Sequence, residues 1–217
     1  MKKYLLISIV SLLIISSCSL LPFYRDKNNI MDYIPNTKVG DIYNYSYAAI
    51  YVDSNTVTGE YETDTIGKYQ ESDTYIEIES TETTAYYKYS TNEGEVHYFN
   101  YYKEIGILTF SYHDGLYHSD EDYVMLKTPI EVGNEWFLFD VEEYRMEIKS
   151  MNETYENGEI LVKDVILTEM IVEDDYSTII QKFYYSPSIG LVKREMIFLR
   201  DNSTHTYRTE LTSIVSE

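Results

Sequence analysis

The sequence predicts a mainly β protein built on a single antiparallel, strongly curved sheet that forms a half-barrel, with a closed barrel or a sandwich as the alternatives. Apolar and polar residues alternate with period two along many short segments, the pattern of strands with one buried face. Turn residues separate these segments at intervals of about 8–14 residues. The chain also contains 25 tyrosines against 9 glycines and 4 prolines, and tyrosine favours strands and half-buried surfaces.

The chain begins with a segment that differs from the strand pattern. Lys2 and Lys3 precede an apolar run over residues 4–15, and two serines separate that run from Cys18. A basic start, a short apolar run and a small-residue boundary are typical of a secretory signal. The run is also shorter than the roughly 20 residues that a membrane-spanning helix needs. We therefore predict a signal peptide over residues 1–17.

The segment Ile15-Ser16-Ser17-Cys18 resembles the lipobox of bacterial lipoproteins. The resemblance implies that the Cys18 thiol carries diacylglycerol with acyl chains such as palmitate, and that the peptide is cut before this residue. The alternative is an ordinary secretory signal with an accidental cysteine. The lipobox also implies a location in the bacterial cell envelope, with the domain facing the periplasm or the exterior. Ser19, which follows the cysteine, permits export to an outer membrane by the same resemblance.

After the cysteine the chain divides into a tether and one domain. Residues 18–32 show no clear period and are predicted to link the lipid to an antiparallel β domain over residues 33–217. Cys18 is the chain's 1 cysteine, so an internal disulfide is impossible. The one helix candidate in the domain is a short turn from Ser119 through Leu126. The clearest alternating segments are residues 76–79, 85–89, 108–112, 146–149, 179–185 and 207–215.

Turn residues mark the connections between these strands. Asn157-Gly158, between Tyr155 and Ile160, predicts a two-residue hairpin loop. Asp114-Gly115 and residues 92–94 are also predicted to be turns. Polar breaks are expected at residues 53–55, 173–175 and 201–203.

Two segments of the domain echo each other. Residues 35–43 (PNTKVGDIY) and residues 129–136 (PIEVGNEW) each contain a proline, Val-Gly, an Asp or Asn, one further residue and an aromatic. This order predicts a turn in which glycine adopts an unusual φ, followed by a strand whose first inward side chain is Tyr43 or Trp136. The echo has two explanations, a duplication of two sheet halves or two similar turns.

These segments, together with residues 184–195 (YYSPSIGLVKRE), resemble a group of uncharacterised bacterial lipoproteins. The matching positions near the C-terminus are Tyr184, Tyr185, Ser186, Pro187, Gly190, Leu191, Val192 and Lys193. More loosely, the domain is similar to the curved half-barrels of envelope lipoproteins, including the carriers LolA and LolB. The chain departs from those carriers in its large negative charge and in its few predicted helices. A resemblance of fold does not assign an activity.

The composition and the motifs argue against several kinds of chemistry. A net charge of −20 repels phosphate backbones, so we expect no nucleic-acid partner. His113 and His118, with Asp120 and Asp122 nearby, could bind a metal, and acidic turns such as residues 173–175 could bind calcium. Neither group has the spacing of a known metal site. We therefore predict no metal site, no cofactor, no catalytic residue and no enzymatic activity.

The aromatic segments leave two functions open. Adjacent aromatics at residues 86–87, 98–102 and 183–185 point to opposite faces of a strand, so that one face is free to do something other than pack the core. The first function is a binding module that holds a hydrophobic ligand or a partner protein on the aromatic-rich sheet. The second is a structural or interaction lipoprotein without a ligand pocket, and a hydrolase is a third alternative. A deep cavity favours the first function, and an interior filled by side chains favours the second.

Overall fold

A computed structural model describes residues 30–55, 60–92, 95–102, 106–114, 117–118, 123–137, 144–173, 176–200 and 203–216 of the 217-residue chain. The predicted signal peptide, the lipobox cysteine Cys18 and most of the predicted tether lie outside these residues. No helix in the described part of the chain is long and apolar enough to cross a membrane.

The described residues form a 13-stranded antiparallel sheet, which confirms the predicted fold class. A 3₁₀ turn, Ile30–Tyr33, precedes the first strand and is the one helical element in the described ranges. The strands are β1 (Ile42–Asn55), β2 (Glu60–Ser80), β3 (Thr84–Thr91), β4 (Val96–Tyr102), β5 (Ile107–Asp114), β6 (Tyr117–His118), β7 (Tyr123–Lys127), β8 (Glu135–Phe137), β9 (Arg145–Asn157), β10 (Ile160–Glu173), β11 (Thr178–Ser186), β12 (Gly190–Arg200) and β13 (Ser203–Val215).

The strand order makes the sheet an up-and-down meander that closes almost completely. The order is β6-β5-β4-β3-β2-β1-β13-β12-β11-β10-β9-β8, and β7 pairs with β5. The strands β7 and β8 therefore lie at the two ends of the sheet although they are consecutive in the chain. Trp136 on β8 donates its indole N–H to the carbonyl of Val124 on β7 at 2.8 Å. This hydrogen bond joins the two ends, so the curved sheet is barrel-like.

One end of the barrel interior is filled by large apolar side chains. The 3₁₀ turn contributes Ile30 and Tyr33 to this cluster, and Ile34 follows them. Packing by residues from both halves of the sheet excludes water from this end. The other buried members are Ala85, Tyr101, Leu108, Met125, Leu126, Ile130, Trp136, Met146, Ile148, Ile166, Met170, Phe183 and Tyr185.

The β11–β12 hairpin holds the segment that carries the 3₁₀ turn. The backbone N–H of Ser188 donates to the carbonyl of Asp32 at 2.6 Å, and the N–H of Asn36 donates to the carbonyl of Ser188 at 2.7 Å. Gly190 has a φ of 85°, and a Cβ added there would lie 2.8 Å from Cγ of Pro35. The glycine of the YYSPSIGLVKRE segment is therefore needed both for its backbone conformation and for its close approach to Pro35.

The first of the two echoing segments forms the predicted turn. Gly40 has a φ of 93°, and its N–H donates to the carbonyl of Tyr75 on β2 at 2.8 Å. The N–H of Tyr75 donates in return to the carbonyl of Asp41 at 3.0 Å. Tyr43, two residues further on, is buried with 2% of its surface exposed.

The second segment repeats this geometry. Gly133 has a φ of 88°, and its N–H donates to the carbonyl of Ile148 on β9 at 2.9 Å. The N–H of Ile148 donates to the carbonyl of Asn134 at 3.0 Å, and Trp136 is buried with 4% exposed. The glycine conformation and the inward aromatic are thus confirmed in both segments. The shared hydrogen bonds belong to the turns themselves, so a duplication and two similar turns both account for them.

The predicted connections are tested only in part, because residues 93–94, 115, 174–175 and 201–202 lie outside the described residues. In the β9–β10 hairpin Asn157 pairs with Ile160, so the two-residue loop is Gly158-Glu159, one residue later than predicted. Gly158 takes a φ of 61° at the first loop position, where type II′ turns require glycine. The break predicted at residues 53–55 is wrong, because these residues continue β1. Strand β10 ends at Glu173 and β11 begins at Thr178, while β12 ends at Arg200 and β13 begins at Ser203.

The predicted helical turn through Leu126 is wrong over its described part. Tyr123–Lys127 form β7, and Leu126 pairs with Leu108 on β5. Leu126 is fully buried in the filled end of the barrel. The apolar residues of this segment are therefore placed by burial in the sheet rather than by the polar residues that precede them.

Candidate ligand-binding cavity

The part of the barrel interior beyond the filled end contains a cavity of about 520 Å³. Small-molecule sites commonly measure about 300–1,000 Å³, so this volume suits a small organic ligand. Leu108, Met125 and Met170 contribute to both the cavity lining and the filled end. Further lining residues come from β1, β2, β3, β11, β12 and β13, among them Tyr45, Asp73, Tyr75, Tyr89, Phe183, Tyr185, Leu191, Arg194 and Thr209.

A row of aromatic rings forms one wall of the cavity. The ring centroids of Tyr75 and Tyr89 are 5.8 Å apart. Tyr75 lies opposite Tyr89 in the β2–β3 register, and Tyr89 lies opposite His97 in the β3–β4 register. The rings of Tyr89 and His97 stack with centroids 5.1 Å apart. Paired residues of an antiparallel sheet share a face, which is why these rings line up across the strands.

The same wall contains a carboxyl group with an altered pKa. Burial raises the pKa of Asp73 to about 8, and the nearby carboxylate of Glu71 acts in the same direction. Asp73 is therefore mostly protonated at neutral pH. Burial also raises the pKa of Tyr45 and of Tyr89, so these phenols keep their protons. Groups with strongly shifted pKa values in a cleft are characteristic of functional sites.

The opposite wall presents an arginine. The guanidinium carbon Cζ of Arg194 on β12 lies 5.4 Å from the ring centroid of Phe183. Nη2 of Arg194 donates a long hydrogen bond of 3.4 Å to Oε1 of Gln181. Burial lowers the pKa of Arg194, but a guanidinium stays charged at neutral pH.

Two further polar groups border the cavity. The side chain of Tyr185 is 1% exposed, and its hydroxyl has no hydrogen-bond partner among the described residues. Burial lowers the pKa of His97 although Glu95, whose carboxylate lies 3.5 Å from Nε2, acts in the opposite direction. At neutral pH His97 is therefore mainly uncharged, and its ring serves the aromatic wall.

The residues proposed from the sequence as metal ligands are only partly described. The backbones of His113 and His118 are paired across β5 and β6, whereas Asp120 and Asp122 lie outside the described residues. In the part of the chain that the structure describes, no group of three or more His, Cys, Asp or Glu side chains could hold a metal ion. The described region therefore supplies no metal centre to a mechanism.

Neither Asp73 nor Arg194 is predicted from the sequence as a site residue. Arg194 belongs to the run Lys193-Arg194-Glu195, and strand alternation places its side chain on the face opposite to that of its two neighbours. That parity was a usable signal for an inward charge. Asp73 carried no such signal, because β2 has polar residues on both faces along most of its length.

Two solved structures are similar to the chain over most of its length. One is a proposed exported protein with a YmcC-like fold from Bacteroides fragilis, with 12% identity and a TM-score of 0.43 over 84% of this chain and 98% of that chain. The other is a proposed lipoprotein from Parabacteroides distasonis, with 15% identity and a TM-score of 0.37 over 84% of this chain and 98% of that chain.

No protein family and no curated protein matches the chain. The similarity to the two solved structures is too low to assign a function. The chemistry of the cavity must therefore be derived from the residues that line it.

Proposed function

We propose that the protein is a lipoprotein of the bacterial cell envelope, anchored through lipid on Cys18, that binds a small amphipathic molecule inside its barrel and catalyses no reaction. The observation that carries this proposal is the cavity of about 520 Å³ lined by tyrosines and a few charged groups. Such a lining suits a ligand with an apolar body and a polar end.

Three properties of the cavity support binding by this interior. Tyr75, Tyr89 and Phe183 provide rigid ring surfaces against which an apolar ligand can pack. Asp73 and Arg194 provide polar contacts on different strands. The filled end beside the cavity fixes these strands in place, so the site is formed before a ligand arrives, which lowers the entropic cost of binding.

The ligand is tested by purifying the full chain from membranes and measuring its bound small molecules by native mass spectrometry. Leu191→Trp places a larger side chain on the cavity wall, whereas Leu199→Trp makes the same change on the same strand at a position that is 36% exposed. We expect Leu191→Trp to lose the bound molecule and Leu199→Trp to retain it. Circular dichroism checks that both variants keep the sheet.

The same measurement separates the two functional classes. A molecule that stays bound to Leu191→Trp lies elsewhere and contradicts binding in the cavity. A parent protein that is purified from its own membrane with no bound small molecule favours the structural or interaction lipoprotein, since its interior then serves only to stabilise the fold.

The anchor is tested separately from the ligand. Cys18→Ala removes the thiol that takes up the lipid, so we expect the protein to move from the membrane fraction to the soluble fraction. Cys18→Ser is a second variant with a side chain closer in size to cysteine, and it should behave in the same way. If both variants stay in the membrane fraction like the parent, the lipid anchor is wrong.

A further inference from the structure

The basic side chains of β12 differ in whether they form ion pairs. On one face Lys193 and Arg208 approach the same carboxylate, that of Glu195, at 3.2 and 3.0 Å. Lys193 is also 3.6 Å from the carboxylate of Glu210. These cations are neutralised within the sheet. On the cavity face Arg194 forms no ion pair with any carboxylate of the described residues, and its polar contact there is the long hydrogen bond to Gln181.

A second hydrogen-bond donor lies beside Arg194. The hydroxyl of Tyr185 is buried and makes no hydrogen bond among the described residues. Tyr185 and Arg194 lie close enough to influence each other electrostatically. Phe183, two residues before Tyr185 in the chain, pairs with Arg194 across β11 and β12. The Arg194 side chain is exposed, whereas the buried Tyr185 hydroxyl lacks the partner that buried polar groups nearly always have. This hydroxyl, beside a guanidinium without an ion pair, indicates that an acceptor is supplied from outside the chain.

Besides Arg194, the acidic and basic side chains that line the cavity are Glu71, Asp73, His97 and Lys193. Asp73 is mostly protonated at neutral pH because burial and the Glu71 carboxylate raise its pKa, so it neither repels an anion nor neutralises Arg194. Lys193 is paired with Glu195 and Glu210, and Glu71 is the lining carboxylate that an anion must avoid. The apolar and aromatic lining residues include Tyr33, Met170, Phe183 and Leu191.

We propose that the cavity binds an amphipathic anion, with a carboxylate or phosphate headgroup held by the Arg194 guanidinium and the Tyr185 hydroxyl and with an apolar body against the aromatic wall. The proposal rests on the proposed ligand-binding function and specifies its ligand class. A guanidinium matches the geometry of a carboxylate or a phosphate and can donate two parallel hydrogen bonds to either. The Tyr185 hydroxyl donates a further hydrogen bond to a free oxygen of the same group.

The test uses four water-soluble probes with the same naphthylbutyl body that end in a carboxylate, a phosphate, an alcohol or an ammonium group. Binding is measured by titration calorimetry on the full chain in nanodiscs of uncharged lipid, with empty nanodiscs as the blank. We expect the carboxylate and phosphate probes to bind about tenfold or more tightly than the alcohol probe. The tighter of the two anions identifies the headgroup, and either order supports the proposal.

Variants assign the preference to the two residues. Arg194→Gln should reduce the affinity for the anionic probes about tenfold and leave the affinity for the alcohol probe unchanged. Arg208→Gln, which changes a paired cation on the other face, should alter neither affinity. Tyr185→Phe should weaken anion binding by a smaller factor without lowering the thermal stability, because the hydroxyl has no partner in the described protein.

The outcomes distinguish failure of the headgroup assignment from failure of the proposed function. If the alcohol probe binds as tightly as the anions, or if the ammonium probe binds best, the cavity binds ligands but the anion assignment is wrong. If Arg194→Gln leaves the preference for anions intact, another group recognises the headgroup and the assignment is also wrong. If none of the four probes binds the parent, the proposed function itself fails.

Discussion

The two ends of the barrel interior are built from different residues and do different things. At the filled end Leu126, Met146, Ile148 and Ile166 are completely buried. At the open end, tyrosines and charged residues surround a cavity of about 520 Å³. Aliphatic side chains and methionine adapt to one another and leave little space. At the open end Tyr75 and Tyr89 belong to a second buried cluster with Val192 and Leu211, and they also line the cavity.

This difference indicates that the residues that contribute most to stability and the residues that line the cavity are concentrated at different ends of the barrel. The filled end is closed by the 3₁₀ turn, which the β11–β12 hairpin holds through Ser188 and Gly190. At the open end burial raises the pKa of Asp73, because an ionised carboxylate is costly to bury unless it is paired. Four predictions test this separation, from the largest expected effect to the smallest.

The first prediction compares the same truncation at the two ends. Leu126→Ala removes a fully buried side chain from the filled end, and we expect it to lower the free energy of unfolding by about 2–5 kcal/mol because a cavity remains. Leu191→Ala, on the half-buried wall of the open cavity, should cost less than half as much. Chemical denaturation measures both. Equal losses would contradict the separation of the two ends.

The second prediction concerns the buried carboxyl of the open end. Because the pKa of Asp73 is raised to about 8 in the folded protein and lies near 3.9 in an unfolded chain, its contribution to stability is fully present below about pH 4 and is lost as the pH rises through 8. Asp73→Asn removes this loss. From pH 5 to pH 9 the variant should gain about 4 kcal/mol of stability relative to the parent.

Thermal unfolding at the two pH values measures this gain. Asp64→Asn is the matched control, because it makes the same change at an exposed position of the same strand. It should follow the pH dependence of the parent. A parent and an Asp73→Asn variant with parallel pH profiles would mean that Asp73 is ionised in the folded protein.

The third prediction tests the close contact between Gly190 and Pro35, which holds the segment with the 3₁₀ turn against the β11–β12 hairpin. Gly190→Ala adds a Cβ at a φ of 85°, 2.8 Å from Cγ of Pro35, and should cost about 2–4 kcal/mol from backbone strain and overpacking. Gly158→Ala adds a Cβ at a φ of 61° with no atom within 4 Å, so only backbone strain of about 1 kcal/mol is expected. Denaturant midpoints compare the variants, and equal midpoints would show that the Pro35 contact is unimportant.

The smallest effect is expected where the ends of the sheet meet. Asn134 donates from Nδ2 to the carbonyls of Lys127 and Pro129 at 2.9 and 2.8 Å, so Asn134→Asp removes the donor and should cost about 1 kcal/mol. In the equivalent turn Asp41 accepts from the N–H of Lys38 at 3.0 Å, and Asp41→Asn should also destabilise. If both exchanges are neutral by thermal unfolding, the two turns do not depend on these side chains.

Much of the fold could be predicted because strands and turns are encoded locally. Period-two alternation set the fold class, and the positive φ of Gly40 and Gly133 followed from their place in two similar segments. The helix predicted through Leu126 failed because polar residues suggested a cap, whereas pairing with Leu108 and burial decided the outcome. Local signals do not report such distant pairing.

The cavity depended on contacts that no local pattern contains. Arg194 and Tyr185 lie on the neighbouring strands β12 and β11. Asp73, Tyr45 and Tyr89 lie on β2, β1 and β3, and the curvature of these three strands encloses the carboxyl group of Asp73. The raised pKa of Asp73 is a property of that enclosure rather than of the residue, since burial is its largest cause and the carboxylate of Glu71 acts in the same direction.

The sequence by itself determined the antiparallel sheet, the turns at Gly40 and Gly133 and the inward direction of Tyr43 and Trp136, because alternation and turn chemistry act between residues that are close in the chain. Only the tertiary structure decided that β7 meets β8, that one end of the interior is filled, and that Arg194 faces a cavity. These outcomes depend on the curvature of the sheet and on the total volume of the side chains that many strands contribute to the interior. Both are settled only when the whole sheet closes.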